Sequence, residues 1–243
     1  MSDWAGKKYW LVGASEGLGQ ALAHKMSAAG VHLILSARSE DKLQQLADDL
    51  PGRAEVVPVD VSDAESVKAA AEAIGDIDGV VQIAGVYWPF GAKDWDADQA
   101  TAMADVNFTG AMRLMGAVVP KFVERDAGHI VLTGSLSGFR GLPGAAAYTA
   151  SKAGVMTLAE SLYADLWRSN VRVQLVNPGF VKTRLTDKNN FNMPFIMQPE
   201  DAAREFFEHM NTDAFKRSFP TVFSWVFRGS QFLPDWLYYR LFA

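Results

Sequence analysis

The chain of 243 residues contains no cysteine. That excludes a disulfide framework and thiolate catalysis, and it accords with a reducing, cytoplasmic setting. Histidine is scarce. His24, His32, His129 and His209 have no metal-ligand spacing among themselves, so they read as structural or surface residues and no metal is expected. An excess of positive charge is also missing. The formal net charge is -5, which removes the electrostatic footprint of a nucleic-acid binder. No apolar run approaches the ~20 residues that cross a bilayer. The opening MSDWAGKKYW has no long apolar run after its basic pair, so no secretory signal is expected. Internal repeats, low-complexity tracts and linkers are absent as well, which implies one domain over residues 1–243.

What is present is an alternation. Short apolar runs at 9–12, 31–35, 54–59, 79–83, 129–133 and 171–176 read as strands. Helical patterns separate them: 18–29 closed by Gly30, a helix capped by Ser39 with Glu40 and Asp41 in its first turn, and one opened by a Ser62/Glu65 capping box. Two helices in sequence follow over 97–125, then a long one over 145–169. Strands alternating with helices imply an α/β fold, a parallel sheet covered on both faces and built from right-handed crossovers. Beyond residue 180 the alternation fails. Residues 183–199 read as a loop with a short helix, 200–210 as a helix and 216–219 as a short edge strand.

Between the first strand and the first helix stands Gly13-Ala14-Ser15-Glu16-Gly17-Leu18-Gly19. Gly13 permits the sharp turn, Gly17 lets a phosphate approach the backbone, and Gly19 lets helix and strand pack closely. Amides at the helix start then face an anion. The spacing G-x-x-x-G-x-G resembles that of the short-chain dehydrogenase/reductase family, and the resemblance extends over residues 9 to about 185. It implies a Rossmann-type doubly wound parallel sheet of six to seven strands and a nicotinamide dinucleotide as cofactor. Three positions depart from the family pattern. Val12 stands where a threonine is usual, and Gln82-Ile83-Ala84-Gly85 stands where Asn-Asn-Ala-Gly is usual.

The second strand ends in Ser36-Ala37-Arg38. No carboxylate awaits a ribose 2′-hydroxyl at Ser36, while Arg38 can pair with a 2′-phosphate, which favours NADP(H) over NAD(H). Glu16 argues the other way, because related NADP users often carry a basic residue there. Asp60 and Val61 match the pair that lines the adenine pocket in relatives, and Ala84-Gly85 lets backbone approach the dinucleotide. Pro178 and Gly179 turn the chain after the sixth strand. The resemblance makes this the nicotinamide loop, with the Val181 amide on the carboxamide and Thr183 reaching the carboxamide or pyrophosphate.

Tyr148 and Lys152 lie four apart on one helix face. A phenol titrates near 10, too high for a base at neutral pH; an adjacent ammonium and a cationic nicotinamide would lower it, making Tyr148 the acid/base. Ser135 follows the fifth strand, where open α/β sheets place ligands, and precedes Tyr148 by thirteen positions, the separation usual in the family. Its hydroxyl suits an oxyanion-hole role; Ser137 ranks second. Asn107 matches the fourth member of the family's catalytic set, expected to hold a water linking Lys152 to solvent.

These residues point to hydride transfer between a nicotinamide and a carbonyl/alcohol pair. A catalytically idle dinucleotide-binding regulator or redox sensor is the alternative. Val86, Tyr87, Trp88, Leu136, Leu142, Phe180, Leu185, Phe191, Met193, Phe195 and Met197 suggest an apolar substrate, a hydrophobic ketone or aldehyde. Phe108, Val118, Val119 and the 153–167 helix suggest a homodimer or homotetramer, as in relatives. Residues 219–243 form an extension with nine aromatics, accompanied by Lys216, Arg217, Arg228 and Arg240. Such a tail can pack on protein, over the cleft or against a second subunit, or make peripheral membrane contact. The acidic net charge favours packing on protein.

Overall fold

A computed structural model describes residues 4–242; residues 1–3, within the stretch read above for a signal, and Ala243 lie outside the described residues. The order is β1 (Lys8–Val12), α1 (Gly17–Ala28), β2 (His32–Ser36), α2 (Glu40–Asp49), β3 (Ala54–Val56), α3 (Ala64–Ile74) and β4 (Gly79–Gln82). There follow α4 (Ala97–Met103), α5 (Gly110–Glu124), β5 (Gly128–Thr133), α6 (Ala146–Asp165) and β6 (Val171–Pro178). The chain closes with α7 (Pro199–Met210), β7 (Lys216–Phe219), α8 (Thr221–Ser230) and α9 (Asp235–Phe242).

The seven strands form one parallel sheet, ordered β3-β2-β1-β4-β5-β6-β7. Alternate residues of a strand face opposite sides. Tyr9 and Leu11 of β1 join a core beneath α1, α2 and α7, with Leu22, Leu43 and Phe206. Trp10 and Val12 join the core beneath α3, α5 and α6, with Val67, Leu114 and Val155. Burial on both faces explains why the strands read as continuous apolar runs. The chain builds β1, β2 and β3 to one side, then crosses to β4 on the other. The connections leaving the carboxyl ends of β1 and β4 therefore run to opposite sides and open a crevice, the topological switch point.

Local expectations shift at several places. β3 stops at Val56, although the Val57 and Val59 amides still donate to Leu35 and Ala37 carbonyls at 3.0 Å; Pro58 between them has no N–H to donate. Asp63, not Ser62, caps α3 by accepting from the Glu65 amide at 2.9 Å, while the Ser62 hydroxyl donates to Asp60. Ser39 takes the cap position of α2 without a side-chain bond. A π-helical turn, Ala104–Thr109, joins α4 to α5. α6 ends at Asp165, and β6 runs on to Pro178 because β7 pairs beside it. Val118, expected at a subunit interface, is buried in the core.

Candidate active site

At the crevice, Gly13 adopts φ +97°, and a Cβ there would lie 2.4 Å from the Ala84 nitrogen. A Cβ on Gly19 would lie 2.0 Å from the Gly13 carbonyl oxygen, so α1 and β1 can meet only because that position is bare. At Gly17, φ +54°, a Cβ would lie 2.6 Å from Cγ2 of Thr183. The same bare position thus seats the loop that follows β6. No side chain caps the first turn of α1 and no acid occupies it, which leaves the amides of Gly17, Leu18 and Gly19 to an external anion. Ser15 and Glu16 lead into that turn. The cradle therefore fits a dinucleotide's pyrophosphate.

The turn is held by backbone bonds that need no hydroxyl at Val12. The Ile83 and Ala84 amides donate to the Val12 carbonyl at 2.8 and 2.9 Å, and the Gly13 and Ala14 amides to that of Ser36 at 2.7 and 3.1 Å. Gln82 holds register between β1 and β5, and its Nε2 donates to the Ala84 carbonyl at 2.8 Å. Ser36 faces inward instead of toward a ribose: it accepts from Trp10 Nε1 at 2.8 Å and donates to the Val57 carbonyl at 2.5 Å. Arg38 is exposed beside Asp60. Burial by itself would raise the Asp60 carboxyl, but two bonds from Ser62 and the charges of Arg38 and Arg113 hold it below the usual range. Val61 packs against Gly110 and accepts from Arg113 at 3.1 Å. The Glu16 carboxylate is ion-paired with Lys42 and, at 3.1 Å, with Arg184. Neither partner lies near Glu16 in sequence, so spacing does not reveal them.

The second half of the site lies across the crevice. β5 delivers Ser135, and α6 presents Tyr148 and Lys152 one turn apart. Ser135 and Tyr148 face the same cavity. Ser137 donates from its hydroxyl to Ser135 Oγ at 2.9 Å and from its amide at 3.2 Å, so it orients Ser135. Lys152 is buried, donates to the Thr133 carbonyl at 2.9 Å, and sits 6.0 Å from the Tyr148 ring centre. A Cβ on Gly85 would lie 3.3 Å from Asn107 Oδ1 and 3.7 Å from Lys152 Nζ. Asn107 accepts from the Val86 amide at 2.7 Å and donates to the Val86 carbonyl and Ser151, both at 3.0 Å. Its side chain clamps the strand end beside Lys152.

One electrostatic expectation is corrected. Burial pushes the Tyr148 phenol up to about 12, against a lowering by Ser135, and pushes the Lys152 amine down to about 8. Desolvation disfavours both charged forms, and the neighbouring Tyr87 raises the phenol further. The protein by itself therefore holds a neutral phenol, not an acidified one.

After β6, Gly179 donates to Phe219 at 2.7 Å. A bridge between Val181 and Met197 is made through the Met197 and Lys182 amides, leaving the Val181 amide out of both bonds. The Thr183 amide donates to Thr186 Oγ1 at 2.9 Å.

Beside Ser135 and Tyr148 opens a cavity of about 600 Å³. Tyr87, Leu136, Leu142, Phe180, Leu185 and Phe191 line it, as expected; Val86, Trp88, Met193, Phe195 and Met197 do not. Trp88 lies under Lys188, and Met197 packs on the core. Phe223 and Phe227 of α8, within the extension for which packing over the cleft was one of the options, complete the wall. Their spacing of one helical turn was the available signal. Tyr87 meets Tyr148 edge-on at 4.9 Å and donates to Asn189 Oδ1 at 3.0 Å. Among the described residues no cluster could hold a metal, and no helix is long and apolar enough to cross a membrane.

Residues 7–193 match the family described as short chain dehydrogenase. An uncharacterized oxidoreductase of Myxococcus xanthus is 38% identical over 245 residues, covering 98% of this chain and 97% of that protein. One from Staphylococcus epidermidis is 34% identical over 185 residues, covering 74% and 80%. Among solved structures, a Burkholderia phymatum short chain dehydrogenase/reductase in complex with NAD is similar at TM-score 0.86 and 25% identity, with 94% of each chain covered. A Sphingobium yanoikuyae short-chain dehydrogenase in complex with NADPH is similar at TM-score 0.82 and 25% identity, with 92% of this chain and 91% of that one covered. With a glycine turn at the switch point, a serine, tyrosine and lysine assembled across the crevice, and a family match over most of its length, the chain belongs to the short-chain dehydrogenase/reductase family of oxidoreductases.

Proposed function

We propose that this protein transfers hydride between a nicotinamide dinucleotide, NADP(H) in preference to NAD(H), and a hydrophobic ketone or aldehyde and its alcohol. The observation that carries the reading is the placement of Ser135 and Tyr148 together on the wall of a largely apolar cavity of about 600 Å³, with buried Lys152 one helical turn behind. The bound dinucleotide supplies or accepts the hydride; every other step belongs to the chain. The glycine turn with Gly13, Ser15, Glu16, Gly17, Leu18 and Gly19 holds the pyrophosphate. Asp60, Val61, Ala84 and Gly85 flank the adenosine, and Pro178, Gly179, Val181 and Thr183 orient the nicotinamide. Similar structures at equal identity carry NAD and NADPH. Here Arg38, with no carboxylate at positions 36–38, favours a 2′-phosphate. Glu16 does not oppose it, being neutralised by Lys42 and Arg184.

Ser135 donates to the substrate oxygen as charge accumulates there. The neutral Tyr148 phenol then delivers its proton to that oxygen, and in the oxidative direction its phenolate removes one. Lys152 adds positive potential behind the phenolate, and Asn107 positions the Gly85–Val86 backbone beside it. The loop 183–199 and the extension 219–243 shape the substrate end of one catalytic unit spanning residues 1–243, which we expect to act as a homodimer or homotetramer.

The test follows NADPH and NADH absorbance in parallel against a panel of apolar and small polar carbonyls. Tyr148→Phe should lower turnover by about a thousandfold with folding intact. Turnover surviving that substitution, or confined to small polar carbonyls, would overturn the reading.

A further inference from the structure

Helix α8 is apolar on its outward side as well as its inward one. Its inward side carries Phe223 and Phe227 together with Ser224 and Ser230, the serines buried and each donating back to a carbonyl of its own helix at 2.7 Å. Its outward face carries Val222, Trp225 and Val226, with Trp225 60% exposed. The pattern continues past the helix into Phe232, 89% exposed, and α9, where Trp236 is 69% exposed and Tyr239 also faces solvent. A water-facing helix pair normally carries polar residues there. The face is held in place, not left loose. Arg140 donates to the Ser230 and Leu233 carbonyls at 2.6 and 2.8 Å, pairs with Asp235 at 2.5 Å, and lies 4.0 Å over the Tyr238 ring. The Tyr238 hydroxyl donates to the Gly141 carbonyl at 2.7 Å.

Charge identifies the occupant. Asp235 is the sole acid between residues 219 and 242, and Arg140 engages it; Arg228 and Arg240 stand exposed on the same helices. Lys216 and Arg217 are drawn away, into ion pairs with Glu160 and Glu205. A second copy meeting it through the same face would bring the same two arginines and no free acid. An anionic lipid surface complements it: tryptophan and tyrosine suit the headgroup boundary, and arginines reach the phosphates. The chain's net charge of -5 resides elsewhere, and at physiological salt charges act over about 8 Å, so the local balance decides.

We infer that the outer face of α8 and α9 docks on anionic lipid, with the substrate cavity opening at that boundary. Phe223 and Phe227 line the cavity from the inner side of the same helix, so one helix separates lipid from substrate site. Only the clause about substrate rests on the hydride reading; docking does not.

The full-length protein is sedimented with vesicles of phosphatidylcholine alone and of phosphatidylcholine mixed equally with phosphatidylglycerol. It should pellet with the mixed vesicles, less so in high salt. The double variant Trp225→Ser/Trp236→Ser should bind about tenfold less while retaining the wild-type far-ultraviolet circular dichroism. Should that variant aggregate, Arg228→Glu/Arg240→Glu serves instead, with the same expected loss. The inference is overturned if the wild type stays in solution with both lipids, if the variants pellet equally, or if the face proves to join two copies, with substitution turning a dimer into a monomer. Vesicle binding without carbonyl turnover would sink the hydride reading and leave docking standing.

Discussion

Helices α7 and α8 are close in sequence and similar in length, yet only α7 confines its apolar residues to one face. α7 turns Ala202, Ala203, Phe206 and Met210 onto the sheet and shows Glu200, Arg204 and Glu208 to water. α8 turns two serines inward and shows a tryptophan and two valines outward. The hydrophobic effect alone accounts for α7, whose inner face joins the core around Leu22 and Leu33. It does not account for α8. That helix is placed by Arg140 and by two phenylalanines over a cavity. Periodicity locates a core only where the core is the helix's sole partner.

The comparison breaks most visibly at Phe206. It is fully buried, and Phe206→Ala should cost about 3–5 kcal/mol in urea unfolding, through lost transfer energy and the cavity left behind. A smaller loss would mean that α7 is not anchored as the packing implies. α6 sharpens the contrast from another side, because its inner face is polar at Lys152. Burial lowers that amine from 10.5 to about 8, so the unfolded chain binds more protons between those values. The penalty is complete below pH 8 and shrinks as pH rises toward 10.5. Lys152→Met should therefore stabilise the fold at neutral pH by about 2 kcal/mol, after allowing for the lost bond to Thr133, and abolish turnover. Its advantage should fade between pH 8 and 10.5 when unfolding is repeated across that range. Trp225→Ser on α8 should move the unfolding midpoint least, by about 0.5 kcal/mol or less, since that side chain has little burial to lose. A large destabilisation there would show that α8's outer face already has a protein partner.

Much of this was legible from spacing. Gly13, Gly17 and Gly19 announced the turn because each stands where a Cβ would collide, and such exclusion leaves a mark at fixed intervals. The four-residue step from Tyr148 to Lys152 predicted a shared face, and α6 provides it. The protonation of that pair was not legible. Spacing reports proximity, while burial set the phenol's direction, and burial is a sum over neighbours from distant segments. Likewise Ser36 could not be known to face Trp10, nor Glu16 to meet Lys42 and Arg184, since those partners converge only when the sheet closes.

The order of strands and helices, the bare glycine turn and the shared helix face of Tyr148 and Lys152 follow from sequence, because local sterics and hydrophobic period act over a few neighbouring positions. Tertiary structure alone decided that Phe223 and Phe227 wall the cavity, that Asn107 clamps Val86, and that α8 turns its tryptophan to the outside. Those outcomes depend on contacts between residues far apart in the chain, with energies that exist only once the intervening elements have packed.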